Sequence, residues 1–155
     1  RIAEDDPATT IIAHMMCEED VQTVMRHGVT MIGSDGIPTL GRRPHPRLWG
    51  TFARVLGRYV RELGVLTLEE GVHRMTGLSA AKFGLHDRGA IREGAAADLV
   101  LFDPATVGER GSFENPEVPP AGIVHVLVNG GFVVRDGVHT GARPGRVLRR
   151  SGAAA

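Results

Sequence analysis

The chain has 155 residues, 42% of them hydrophobic and 23% charged, enough for one ordinary domain that buries roughly 70% of its unfolded surface. Its 18 Lys and Arg balance 18 Asp and Glu, and the zero net charge argues against a general nucleic-acid or polybasic membrane binder. No apolar run nears the roughly 20 residues of a membrane span, and the charged first residues lack a signal-peptide core. The lone Cys17 permits no intramolecular disulfide and fits a reducing, cytoplasmic compartment.

In chain order, Thr9, Thr10, Ile11, Ile12 and Ala13 form a short β-prone run. Val21, Val24 and Met25 then recur at helical spacing and predict a helix over 18–27. Glu18, Glu19 and Asp20 suit its positive N-terminal end, and Gly28 is placed to stop it. Val29, Thr30, Met31 and Ile32 make a β-branched, apolar run, which predicts a strand buried on both faces as in a parallel sheet. Residues 34–50, rich in Gly and Pro, predict a long irregular loop holding the only Trp.

Thr51 is placed to cap the next helix. There Phe52, Val55, Leu56, Tyr59, Val60 and Leu63 trace one apolar stripe, closed by Gly64. Thr67 and Glu70 spell a capping box for a further helix with Leu68, Val72 and Met75 inward. Residues 79–83 add one more turn, stopped by Gly84. The texture then changes. Turns at Gly89 and Gly94 lead to a strand over 99–102 and another over 123–128. Asn129-Gly130 signals a hairpin into Phe132, Val133 and Val134, with a second turn at Asp136-Gly137. The tail over 143–150 is basic, and 151–155 reads as disordered.

The chain thus divides into residues 1–83, resembling the last α/β units of a larger parallel structure, and 84–150, a small antiparallel β region. One buried strand cannot form a parallel sheet alone, so the chain is expected to be the C-terminal part of a longer protein.

Asp35 is the first candidate for chemistry. It follows the C-terminal end of the predicted buried strand, where α/β barrels carry catalytic groups. A carboxylate there serves as general base or metal ligand, or it simply forms a turn within Ser34-Asp35-Gly36. His45 and Arg47 come second. A guanidinium grips a carboxylate bidentately, and Pro44 and Pro46 stiffen the loop, although a solvated surface loop fits the same residues. His14 and Cys17 lack the further ligands of a zinc set. The other histidines are dispersed, and no phosphate-binding loop, dinucleotide fingerprint or His-Glu-x-x-His motif occurs.

The segments Met31-Ile-Gly-Ser-Asp-Gly36 and Pro44-His-Pro-Arg-Leu-Trp-Gly-Thr-Phe52 are similar to the C-terminal third of N-acyl-D-amino-acid deacylases, the D-aminoacylases of the amidohydrolase superfamily. The similarity continues through Met75-Thr-Gly-Leu78, Ala97-Asp-Leu-Val100 and Val128-Asn-Gly130. The resemblance implies an α/β fold, the last part of a TIM-like (β/α)8 barrel followed by a small antiparallel β domain. It implies that Asp35 takes a proton from metal-bound water and passes it to the leaving amine. Arg47 would hold the free carboxylate of an N-acyl-D-amino acid, with His45 nearby. The expected cofactor is zinc. The family's His-x-His motif and its cysteine and histidine ligands belong to earlier strands, and Cys17 does not match them. The expected partners are therefore the small-molecule substrate and the rest of the barrel upstream, with the isolated chain inactive. A cyclic-amide hydrolase of dihydroorotase type and a non-catalytic assembly module are the rival readings.

Overall fold

The computed structural model describes residue 13 and residues 15–38 and 43–149. The β-prone residues 9–12, His14 and the tail from 150 onward lie outside the described residues. Helix α1 spans Glu18–Arg26, with Glu18, Glu19 and Asp20 in its first turn as their charge favours. It ends at His27, one residue before the Gly that was expected to stop it. Val21 and Met25 pack inward, whereas Val24 stays exposed.

Residues 29–32 are not in a strand, contrary to expectation. A strand exists only by pairing, and the described residues supply no neighbour beside this run. Instead the Ile32 N–H donates to the Arg74 carbonyl at 3.3 Å, and the Ile32 side chain packs on the Tyr59 cluster.

The long loop is shorter than expected. Helix α2 begins inside it and spans Arg47–Arg54, so Trp49 and Gly50 are helical. Its N-cap position is Pro46, not Thr51. Proline suits a helix start because its fixed φ is already helical and its missing N–H leaves no orphan donor. From α2 the chain runs directly into a π-helical stretch, Val55–Glu62. The Leu63 N–H closes it by donating to the Arg58 carbonyl, five residues back, at 2.8 Å. This wider winding shifts the apolar stripe. Ala53, Val55, Leu56 and Tyr59 are buried, while Phe52 and Leu63 are 46% and 42% exposed.

Helix α3, Leu68–Met75, opens with the expected capping box. The Glu70 N–H donates to the Thr67 hydroxyl at 3.2 Å, and the Thr67 N–H to the Glu70 carboxylate at 2.8 Å. Helix α4, Gly77–Phe83, is closed by Gly84 in the left-handed region.

The remaining elements form one antiparallel sheet in the order β1-β2-β3-β4: Leu99–Phe102, Ile123–Val128, Gly131–Arg135 and Val138–His139. Asn129 and Gly130 have φ of 47° and 80°, the two positive values a tight two-residue hairpin turn requires. Between β1 and β2 the chain leaves the sheet and sends Val107, 1% exposed, against Ala53 and Leu56. Gly57 admits this arm, since a Cβ there would meet the Val107 carbonyl oxygen at 2.7 Å. Phe102 and Ile123 pack on the same cluster, as do Leu68, Val72 and Met75. The sheet therefore shares a core cluster with α2, the π-helical stretch and α3, beside a separate cluster around Tyr59 under α1. No helix among the described residues is long and apolar enough to cross a membrane.

Candidate functional site

Asp35, Arg47 and His45 come together where the turn after residues 29–32 meets the start of α2. Asp35 has a φ of 48°, a left-handed conformation that Asp tolerates better than bulkier residues. Ser34 closes the turn, its Oγ accepting from the Gly36 N–H at 3.2 Å. A Cβ on Gly36 would lie 3.1 Å from Leu48 Cδ1 and 3.2 Å from Leu48 Cα, so a larger residue would have to push the turn or Leu48 aside by a few tenths of an ångström. Thr51, inside the helix, donates its hydroxyl to the Arg47 carbonyl at 2.8 Å and lies 3.4 Å from the Ser34 carbonyl. The turn is thus held from the helix side, and the Asp35 carboxylate projects outward, 76% exposed.

Arg47 Nη1 pairs with that carboxylate at 2.9 Å. Its own side chain is 37% exposed, and its Nε is buried with no acceptor among the described residues. The Arg47 N–H donates to His45 Nδ1 at 3.0 Å, so in the neutral ring Nε2 carries the proton. Phe113 stands edge-on to the His45 ring, with centroids 5.1 Å apart. It comes from the arm between β1 and β2, where Ser112 and Asn115 close a small turn through the Ser112 N–H and the Ser112 hydroxyl. No sequence signal ties Phe113 to His45, because the contact joins distant segments.

Further along α2, Arg54 pairs with Glu109 of the same arm. Burial works against the Arg54 charge, but its bond to Glu109 and that carboxylate's field outweigh it and raise its pKa. The sequence offered no reason to pair these two residues. Cys17 is exposed at the N-cap of α1. Among the described residues, no group of three or more His, Cys, Asp or Glu side chains is arranged to hold a metal ion.

An outward carboxylate can accept and release a proton, and a guanidinium beside it can bind an anion. The chain belongs to the amidohydrolase family, whose sequence model matches residues 5–134. It is 53% identical over 152 residues to a D-aminoacylase from Alcaligenes xylosoxydans xylosoxydans, covering 98% of this chain. It spans only 31% of that relative's length. A solved D-aminoacylase, studied for its binuclear metal centre, superposes with a TM-score of 0.84 at 57% identity, over 88% of this chain and 28% of that one. The N-acyl-D-glutamate deacylase of Bordetella bronchiseptica, solved with zinc and a phosphonate mimic of the tetrahedral intermediate, gives a TM-score of 0.73 at 52% identity, over 76% of this chain and 25% of that one.

Proposed function

We propose that these residues form the C-terminal portion of a metal-dependent deacylase that hydrolyses the amide bond of N-acyl-D-amino acids. Residues 1–83 then complete the catalytic barrel, and 84–150 form its small β domain. The observation that carries the reading is the pairing of Asp35 with Arg47 on a turn held by Ser34 and Thr51. Asp35 accepts a proton from the attacking water and delivers it to the departing amine nitrogen. Its exposure leaves the carboxylate free to reach both. Arg47 presents its partly exposed guanidinium to the substrate carboxylate, and the bond to His45 Nδ1 fixes the backbone that carries it.

The resemblance implies zinc, and no group of three or more potential ligands stands together among the described residues. We place its ligands upstream, where the ion supplies Lewis-acid polarisation. The lone cysteine supports a reducing, cytoplasmic compartment.

The test is hydrolysis by the complete enzyme of an N-acetyl-D-amino acid, its L enantiomer, its carboxamide and a cyclic amide. The D acid is expected to be hydrolysed best, with the carboxamide at least about tenfold poorer for the loss of one charge-assisted contact and the L enantiomer and cyclic amide untouched. Preference for the cyclic amide would replace the substrate assignment with ring opening. Turnover of none of the four would leave an assembly role.

A further inference from the structure

Among the described residues, Arg74 is the one buried charged side chain, 6% exposed, and it has no carboxylate partner. Its guanidinium donates to carbonyls alone: His27 at 2.5 Å, Thr30 at 3.1 Å and Arg26 at 3.3 Å. Two of these belong to the C-terminal end of α1, where the helix dipole concentrates negative charge. The third belongs to the segment that runs on to Asp35. The Arg74 carbonyl also accepts from the Ile32 N–H at 3.3 Å and from the Ser79 hydroxyl at 3.0 Å. One residue of α3 therefore holds residues 26–32 through both its side chain and its backbone.

Such an arrangement is costly to retain for stability alone, because a buried guanidinium without a counter-ion must recover its lost hydration from neutral acceptors. An apolar side chain at the same place would leave the carbonyls of 26–30 without a common donor. Between Ile32 and Asp35 stand only Gly33 and Ser34, so at about 3.3 Å per extended residue the clasp lies within roughly 10 Å of the carboxylate. The other side of the turn rests on α2 through Thr51 and Leu48. We propose that Arg74 is a positioning residue, setting how far the segment before Asp35 advances into the site. Resting on the reading of Asp35 as proton carrier, the assignment extends the machinery to a side chain that touches no substrate.

The experiment uses the complete, metal-loaded enzyme, with Asp35→Asn as control. If Asp35→Asn retains turnover, the proton-carrier reading itself fails, whatever Arg74 does. If it is inactive, Arg74→Met and Arg74→Lys are compared with the parent for kcat, KM, metal content and circular dichroism. Displacement of a reacting group by about 1 Å costs up to about 100-fold, so kcat of Arg74→Met is expected to fall roughly 10- to 100-fold. KM and metal content stay within about twofold, because Arg47 is untouched. Arg74→Lys, which keeps the charge but cannot span three carbonyls, is expected between the two. A kcat within about twofold of the parent in a folded Arg74→Met enzyme would overturn the proposal, even with a lowered Tm. If Arg74→Met does not fold, the kcat of Arg74→Lys decides by the same criterion. Failure of both to fold would also overturn it, since Arg74 would then be holding the fold itself.

Discussion

Arg47 and Asp35 face each other across 2.9 Å, from the first turn of a helix to a turn in left-handed geometry. Replacing Asp35 by Asn keeps the shape and removes the proton-carrying group. In the complete enzyme, kcat is expected to fall about 10²- to 10⁴-fold, the usual share of a positioned acid–base residue. Circular dichroism should be unchanged, since the turn is closed by Ser34 and not by the carboxylate. Steady-state kinetics at saturating substrate check this, and near-parental turnover would sink the proton-carrier role.

Arg47→Ala is expected to act on substrate affinity instead. One charge-assisted contact contributes about 1.5–3 kcal/mol, which corresponds to roughly a 10- to 100-fold rise in KM. The carboxamide analogue should be handled alike by parent and variant. Equal loss on acid and carboxamide would place Arg47 in support of the turn and not on the substrate.

Val107→Ala tests the shared core. The side chain is fully enclosed by Ala53 and Leu56, so its truncation should cost about 2 kcal/mol by lost burial and a residual cavity. Chemical denaturation of the complete protein, followed separately in the sheet and the helices, should show both losing stability together. A loss confined to the sheet would show that the arm is not a common element.

Asp103 is one carboxylate that links stability to acid. The Thr106 hydroxyl and the Ala105 N–H both donate to its carboxylate, holding its pKa below the ordinary 3.8. A depressed carboxylate contributes stability that is fully present above its unfolded value and is lost as pH falls through the folded one. Asp103→Asn should therefore be less stable than the parent at neutral pH. The gap should close as pH falls below about 4, in urea titrations over that range. A gap independent of pH would assign the effect to the turn's geometry.

Local signals carried much of this fold. The acidic residues opening α1, the Thr67–Glu70 box and the Asn129-Gly130 turn each act within a few residues, and the structure has all three. The start of α2 was legible in Pro46 but was obscured by Gly50 and Thr51, which read as loop and cap until the helix takes them inside. Residues 29–32 look like a strand from side chains alone, yet a strand depends on a neighbour that local sequence does not specify. The Asp35, His45 and Arg47 grouping came from turn chemistry and family resemblance, and the three do converge. Arg74, Phe113 and Glu109 gave no such sign. An arginine in the last turn of a helix usually reaches water, and only the packing of 26–32 over α3 turns this one inward.

The π-helical stretch has a consequence for chain length. Its wider winding accommodates residues that a regular helix would place elsewhere around the axis, so an excision between Val55 and Glu62 lets the stretch relax to the tighter form. The tighter form turns further per residue than the wide one, so the side chains around the stretch change their bearing even where the lost residue is offset downstream. Tyr59 would swing away from Glu18, and Arg61 from the carbonyls of Pro104 and Val107. Natural or engineered deletions should therefore be rejected here more strictly than conservative exchanges. The spacing between these contacts is itself a heritable constraint, separate from the identity of the side chains that make them.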